Sequence, residues 1–255
     1  MTQGEEQHRE QLNPQGPNLS STYRRGRPPG PDTLPTVLAN PDELPEWYRP
    51  LVRRLGQVGP EELAGFGVPV GEQARSSAVL VLFGADDSTN PDVLLTRRHS
   101  GMRSHAGQVS FPGGSVDATD ESPIHTAIRE AQEETLINPS SIQPVALLPE
   151  LWIPPSGFAV TSVLGWSKEP SQIGIGSPAE VEATERIAVR DLVNPDNRVW
   201  VTHPIGFKGP GFVVDDMFVW GFTALVLDRL LALGEWDTEW QTNAEIVPFD
   251  FRLSD

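Results

Sequence analysis

The sequence predicts an α+β domain built on a mixed β-sheet. Runs rich in β-forming residues occur through the middle of the chain, one amphipathic helix lies between them, and an apolar helix follows near the C-terminal end. The 255 residues are 38% hydrophobic and 21% charged, as is typical of a globular domain with a packed core. We expect this domain to occupy residues 41–255.

Residues 1–40 are predicted to form a flexible, proline-rich tail. Six of the 25 prolines lie here among Gly, Ser, Gln and Asn, and large apolar side chains are too few to offset the entropy lost on ordering. The tail lacks the apolar stretch of a secretory signal, and no run in the chain approaches the ~18 apolar residues of a membrane helix. We therefore expect a cytoplasmic protein without a membrane partner.

The charge excludes one class of partner. Lys and Arg number 19 against 35 Asp and Glu, so the net charge is −16. Because the charges of residues 1–40 cancel, the whole excess falls on the predicted domain. Nucleic acids and anionic membranes would be repelled by it. The absence of cysteine excludes disulfides, thiolate nucleophiles and zinc-thiolate sites.

Hydrophobic spacing predicts the remaining elements in order. Trp47, Leu51 and Leu55 are spaced as on one face of a short helix within residues 41–58. Two β-rich runs separated by turn residues predict a hairpin, and later runs read as strands and a final helix. The predicted strands are 77–85, 92–98, 145–151, 158–166 and 185–192, and the final helix is 218–233.

Residues 121–137 are predicted to form the internal helix. Ser122 suits the N-cap and Pro123 the first helical position. The spacing of Ile124, Ala127, Ile128 and Ala131 gives one apolar stripe, which would anchor the helix to a sheet.

The opposite face of this helix carries three carboxylates. Glu130, Glu133 and Glu134 lie at i, i+3 and i+4, so they converge on one side. Such like charges destabilise an isolated helix, but a hard divalent cation such as Mg²⁺ prefers oxygen ligands and would offset the repulsion. A solvated acidic surface is the alternative for this segment alone. The preceding FPGG at 111–114 favours a site, because Gly113 and Gly114 permit close backbone approach.

These residues resemble a known family motif. Gly114, Glu121, Arg129, Glu130, Glu133 and Glu134 are similar to the Nudix box, G-x5-E-x7-R-E-U-x-E-E-x-G-U with U aliphatic. The resemblance implies a pyrophosphohydrolase for nucleoside diphosphate derivatives, with an α/β/α sandwich and a loop-helix-loop site for Mg²⁺ or Mn²⁺. It also implies that Arg129 orients the glutamates and the preceding loop.

An upstream segment resembles the coenzyme A pyrophosphatase branch of that family. The branch signature, L-L-T-x-R-[S/A]-x3-R-x3-G-x3-F-P-G-G, is matched at spaced positions. Those positions are Leu94, Leu95, Thr96, Arg98, Arg103, Gly107, Phe111, Pro112, Gly113 and Gly114. The resemblance implies cleavage of coenzyme A into 3′,5′-ADP and 4′-phosphopantetheine, and we expect Arg98 and Arg103 to contact the nucleotide phosphates.

The sequence departs from these patterns at three places. His99 replaces the Ser or Ala of the branch signature. Glu121 lies one residue late relative to Gly114, and Asp120 occupies the regular position. Leu136 stands where the box has a glycine that ends the helix in a left-handed conformation, and we expect Asn138-Pro139 to move the helix end later.

The predicted mechanism is metal-assisted attack of water on phosphorus. Glu130, Glu133 and Glu134 would hold the cation, and a carboxylate would serve as general base. Glu133, Glu180 and Glu182 are all candidates for the base. Hydrolysis of another substrate, such as ADP-ribose or NADH, stays open, as does a catalytically weak nucleotide sensor, which Leu136 favours. The sequence does not set the oligomeric state, and a homodimer stays open.

Overall fold

A large mixed β-sheet carries the site. The computed structural model describes residues 34–58, 74–85, 90–102, 105–153, 157–167, 172–202 and 208–237, together with the backbone of 246–248. The described strands of this sheet are β1 (Thr36–Val37), β2 (Arg75–Ala85), β3 (Pro91–Arg98), β4 (Val109–Ser110), β5 (Gly113–Ser115), β6 (Ile142–Leu147), β7 (Leu151–Ile153), β8 (Phe158–Ser167) and β9 (Val181–Ala188).

The strand order places β8 and β2 at the centre. The order is β1-β6-β8-β2-β3-β4, and β5, β7 and β9 pair with β2, β8 and β3, respectively. Strands β2 and β8 run parallel, whereas β2 and β3 form an antiparallel hairpin, as the sequence predicts. The sheet is therefore mixed. Strand β1 lies within the predicted tail and pairs with β6, whereas residues 1–33 of that tail lie outside the described residues.

Four described helices flank the strands. They are α1 (Arg49–Leu55), α2 (Pro123–Thr135), α3 (Val189–Val193) and α4 (Gly221–Leu233). Helix α2 covers one face of the main sheet, where Ala127 and Ala131 pack on Leu80 and Leu82 of β2. Helices α1 and α4 pack in a larger cluster with the alternate β2 side chains. The predicted α/β/α sandwich is confirmed.

A second sheet extends the layer that contains α4. Its described strands are β10 (Arg198–Thr202), β11 (Lys208–Val214), β12 (Met217–Val219) and β13 (Ile246–Pro248). They run in the order β12-β11-β10-β13. Arg198 is buried between this sheet and α4, where it donates to Asp228 and, over 3.2 Å, to Asp237.

The run expected as one strand over 145–151 is divided between the end of β6 at Leu147 and β7, which starts at Leu151. Two other predicted elements have different bounds. The strand expected over 185–192 is β9, which starts at Val181 and ends at Ala188, because Val189 begins α3. The helix expected from residue 218 begins at Gly221, and β12 occupies the preceding residues. In both cases an apolar run contains a strand followed directly by a helix, which hydrophobicity alone does not separate.

Candidate active site

The start and the buried face of α2 follow the sequence prediction. The Ser122 hydroxyl accepts a hydrogen bond from the His125 amide over 3.2 Å, and Pro123 takes the first turn. Ala127 and Ala131 are fully buried, and Ile124 and Ile128 pack beside them. The apolar stripe therefore fixes which face of α2, with its glutamates, points away from the sheet.

The C-terminal end of α2 differs from the prediction. The helix ends at Thr135, and Leu136 itself adopts the left-handed conformation with φ of 57°. Its amide donates to the Gln132 carbonyl over 3.0 Å. The expected shift of the helix end to Asn138-Pro139 is therefore wrong. A left-handed non-glycine residue costs about 1–2 kcal/mol.

Glu134 is the most deeply buried acid of the helix. Its side chain is 4% exposed, and its Oε2 accepts a hydrogen bond from the Gly113 amide over 3.1 Å. The Arg98 guanidinium lies 4.0 Å from its Oε1. Burial raises the pKa of Glu134 to about 7, against the opposing effects of the amide and Arg98. A cation would favour the ionised carboxylate here.

Glu130 lies directly against the glycine turn. A Cβ placed on Gly114 would be 2.5 Å from the Glu130 carboxyl carbon, so any side chain at this position would displace the Glu130 carboxylate. The Arg129 Nη1 donates to Glu130 over 2.9 Å. Burial is the largest cause that raises the pKa of Glu130, and the charges of Glu133 and Glu180 act in the same direction.

Glu133 is placed differently from its two neighbours. Its side chain is 59% exposed, and its Oε1 accepts from Arg129 over 3.4 Å. Within the described ranges, no three Asp, Glu or His side chains are arranged as a preformed metal site. The exposed Glu133 side chain would have to leave Arg129 to join Glu130 and Glu134 at a shared ion.

Arg129 is held by Asp120, which occupies the regular position of the first glutamate of the Nudix box. Its Nε and Nη2 donate to Asp120 over 3.1 and 2.9 Å, and Nη2 also donates to the Ser115 carbonyl. Hydrogen bonding to Arg129 lowers the pKa of the fully buried Asp120 side chain to about 2. Asp120, not Glu121, is therefore the carboxylate that fixes Arg129. Its regular distance from Gly114 was the available signal.

The two later glutamates face different parts of the site. The charge of Glu180 acts to raise the pKa of both Glu130 and Glu134. Its carbonyl accepts from the His99 amide over 2.7 Å. The Glu182 carboxylate instead accepts from the Ser100 amide over 3.3 Å.

The neighbouring arginines of β3 also have separate environments. Arg98 reaches toward Glu134, and its Nε is buried without a hydrogen-bond partner among the described residues. Arg97 pairs with Asp216 over 2.5 Å at the turn between β11 and β12. Arg103 lies outside the described residues.

The residues that the structure brings together fit a hard divalent cation in their chemistry. Glu130 and Glu134 supply carboxylate oxygens, and their raised pKa values reflect buried negative charge without enough local compensation. Oxygen-rich, charged donor sets of this kind suit Mg²⁺ and Mn²⁺. Gly114 provides the space in which the Glu130 carboxylate lies.

Comparison with known families gives the class of protein. Residues 73–205 match the family model described as the NUDIX domain. The chain belongs to the Nudix family and is a hydrolase that acts on phosphoric anhydrides of nucleoside diphosphate derivatives. Hydrolases of this family generally use divalent ions, usually Mg²⁺ or Mn²⁺.

Particular relatives come from enterobacteria. The chain is 38% identical over 164 residues to the "Uncharacterized Nudix hydrolase NudL" of Pectobacterium atrosepticum, covering 62% of this chain and 82% of the relative. It is 37% identical to the protein of the same name from Cronobacter sakazakii, with 57% and 77% covered. The predicted Nudix family is confirmed by these matches.

Solved structures of Nudix proteins show a weak similarity to the chain. The chain is 17% identical to the Nudix hydrolase RenU of M. smegmatis, with a TM-score of 0.47 and coverage of 64% of this chain and 87% of RenU. It is 23% identical to the NUDIX domain of Shewanella oneidensis NrtR complexed with ADP ribose, with a TM-score of 0.39 and coverage of 52% and 84%. None of the helices in the described ranges is long and apolar enough to cross a membrane.

Proposed function

We propose that the protein is a cytoplasmic coenzyme A diphosphatase that cleaves the diphosphate of coenzyme A or a derivative. The products are 3′,5′-ADP and 4′-phosphopantetheine. The observation that carries the proposal is the position of Arg98, a residue of the coenzyme A branch signature. It lies 4.0 Å from Glu134, a residue of the Nudix box, so the two motifs contribute to one site.

Arg98 has the properties expected of a phosphate ligand. Its Nε is buried and has no hydrogen-bond partner among the described residues. A buried donor without a partner is unfavourable, and a phosphate oxygen would satisfy it with a charge-assisted hydrogen bond. The amide of Gly113 already engages Glu134, so the glycine turn positions the acid. Arg103 is proposed as a second phosphate contact from its place in the signature.

We assign cation binding to the glutamates of α2 and a positioning role to Arg129. Glu130, Glu134 and a reoriented Glu133 would hold Mg²⁺ or Mn²⁺, which when bound polarises the phosphoryl oxygens and lowers the pKa of water. Arg129 holds Glu130 in place through Nη1 while Asp120 fixes the guanidinium. Arg129 is therefore a positioning residue.

Glu180 is the favoured general base. Its carbonyl is bonded to the amide of His99, the neighbour of Arg98, its charge acts on the pKa of both Glu130 and Glu134, and the residue is exposed to water. Glu182 is directed to the Ser100 amide, and Glu133 is needed at the cation. Water would add to one phosphorus of the diphosphate as the bridging P–O bond breaks, so that each product keeps one of its two phosphates and 3′,5′-ADP also keeps the 3′-phosphate. The proton of water would pass to Glu180.

The direct test is a substrate panel with both metals. We expect the wild-type protein to release 3′,5′-ADP from coenzyme A with Mg²⁺ or Mn²⁺, and Glu134→Gln to lose this activity. Glu235→Gln, which alters an exposed glutamate outside the site, is the matched control and should retain it. Light scattering on the same samples decides whether the homodimer left open by the sequence forms.

Two results would redirect the assignment. Cleavage of ADP-ribose or NADH with coenzyme A untouched would refute the coenzyme A branch. Binding of the whole panel without cleavage would favour the nucleotide sensor, the function that the left-handed Leu136 raises as a second candidate.

A further inference from the structure

A segment distant in sequence covers the C-terminal end of α2. Residues 172–180, here called the docking segment, donate two backbone hydrogen bonds to the last turn of the helix. The Gly174 amide reaches the Thr135 carbonyl over 2.9 Å, and the Gly176 amide reaches the Glu134 carbonyl over 3.0 Å. The final carbonyls of a helix have no partner within the helix, so the docking segment supplies part of this cap.

The docking segment fits because two of its residues have no side chain. A Cβ on Gly176 would overlap the carbonyl oxygen of Glu133. The φ of Gly176 is outside the left-handed region, so this position needs glycine for space rather than for backbone conformation.

Leu136 completes the contact between α2 and the docking segment. Its Cδ1 would lie 3.3 Å from a Cβ on Gly174, and its Cδ2 would lie 3.0 Å from a Cβ on Gly176. The side chain therefore spans both glycines although it is 61% exposed. The glycine that the family motif has at this position could not make these contacts.

The other end of the docking segment carries Glu180. The amides of Glu180 and Val181 both donate to the Ser177 carbonyl, over 2.9 and 2.8 Å, which closes a tight turn after Gly176. The His99 amide then fixes the Glu180 carbonyl next to Arg98. Glu180 is thus tethered on one side through α2 and on the other through the residue that follows β3.

We propose that Leu136 is a positioning residue: it seats the docking segment on α2 and thereby holds Glu180 in its place next to His99 and Arg98. This inference rests on the proposed function only in giving Glu180 its part in catalysis. The left-handed strain at Leu136 is tolerated because the side chain provides a contact that the motif glycine lacks.

Amide hydrogen exchange tests the seating without substrate. Leu136→Gly removes the side chain and relieves the left-handed strain, so the unfolding midpoint should be equal to or higher than that of the wild type. The amides of Gly174 and Gly176 should nevertheless exchange at least about tenfold faster, because their local opening becomes easier. Glu235→Gly is the matched control: it relieves another left-handed residue, with φ of 58°, and should leave both amides unchanged.

A double-mutant cycle tests the connection to Glu180. With the diphosphate that the wild type cleaves, Leu136→Gly should lower kcat about tenfold with little change in KM, because a displaced base affects the chemical step. In a Glu180→Gln background the same change should have little further effect. Leu136→Met, which retains a long apolar side chain, should restore slow exchange and most of kcat.

The outcomes separate the two proposals. Unchanged exchange at Gly174 and Gly176 in Leu136→Gly, or an equal loss of kcat with and without Glu180, would overturn the positioning role. If Gly174 and Gly176 exchange faster in Leu136→Gly but the wild type does not cleave coenzyme A, Leu136 still holds the docking segment on α2 and only the coenzyme A assignment is refuted.

Discussion

Substitution of Gly114 by alanine is expected to displace one glutamate of the site with little effect on folding. Gly114 lies in β5 and pairs with Ala78 of β2, and it is not among the residues with positive φ. Alanine is therefore compatible with the backbone. The new methyl group would meet the Glu130 carboxylate, whose carbon and Oε1 are both 2.5 Å from the ideal Cβ position.

The size of the effect follows from that distance. Ordinary contacts of a Cβ begin near 3.4 Å, so the carboxylate must retreat by about 1 Å. A displacement of this size at a reacting site can lower the rate about 10²-fold, which corresponds to ~2.7 kcal/mol in the activation barrier. Because only the end of a side chain has to move, the free energy of unfolding should change by less than about 1 kcal/mol.

The assay measures kcat, KM and Mn²⁺ affinity on the same preparation. We expect Gly114→Ala to lose activity and to bind Mn²⁺ more weakly by electron paramagnetic resonance, with an unchanged urea midpoint. Gly56→Ala is the control, because its Cβ would meet nothing closer than 3.5 Å. If a folded Gly114→Ala protein keeps wild-type kcat and Mn²⁺ affinity, the placement of Glu130 does not govern the chemistry.

Other predictions concern Asp120 and Arg198. Asp120→Asn removes the charge that fixes Arg129, and kcat should fall about tenfold or more while circular dichroism stays unchanged; full activity would contradict the positioning role. The pKa of Asp120 is lowered from 3.8 to about 2, so its contribution to stability is present above pH 3.8 and is lost as the pH falls toward 2. The difference in free energy of unfolding between wild type and Asp120→Asn, measured in urea, should therefore shrink as the pH falls from 3.8 toward 2. A difference that does not change with pH would refute the connection between the ionisation of Asp120 and stability. Arg198→Ala leaves Asp228 and Asp237 without their common cation, and urea denaturation should show a loss of about 3–5 kcal/mol; a loss below about 1 kcal/mol would show that the carboxylates find other compensation.

The fold was predictable where local signals agreed with tertiary packing. The N-cap Ser122, the first-turn Pro123 and the apolar stripe all indicated α2, and the structure has all three. Strand β9 was harder to locate at its start, because Val181–Ala188 contains several polar residues and gains its place by pairing with β3. Cross-strand pairing depends on the partner, which is distant in sequence.

The sequence predicted which residues form the site but not the different environment of each one. Helical spacing brought Glu130, Glu133 and Glu134 to one side, yet it could not show that Glu133 contacts Arg129 whereas Glu134 is buried. That difference depends on the Gly113 amide, which lies outside the helix and donates to Glu134. The position of Glu180 depends on how the docking segment crosses the end of α2, which no local pattern contains.

The pairing of Arg97 with Asp216 has a consequence for the whole molecule. Arg97 and Arg98 are consecutive residues of β3, at the point where the pairing of β3 with β9 shifts its register, and their side chains reach different partners. One guanidinium is attached to the turn of the second sheet and the other to the acidic helix. This one strand of the main sheet therefore contacts both the turn of the second sheet and Glu134 of α2, so a sequence change that displaces β3 at this point would affect both regions.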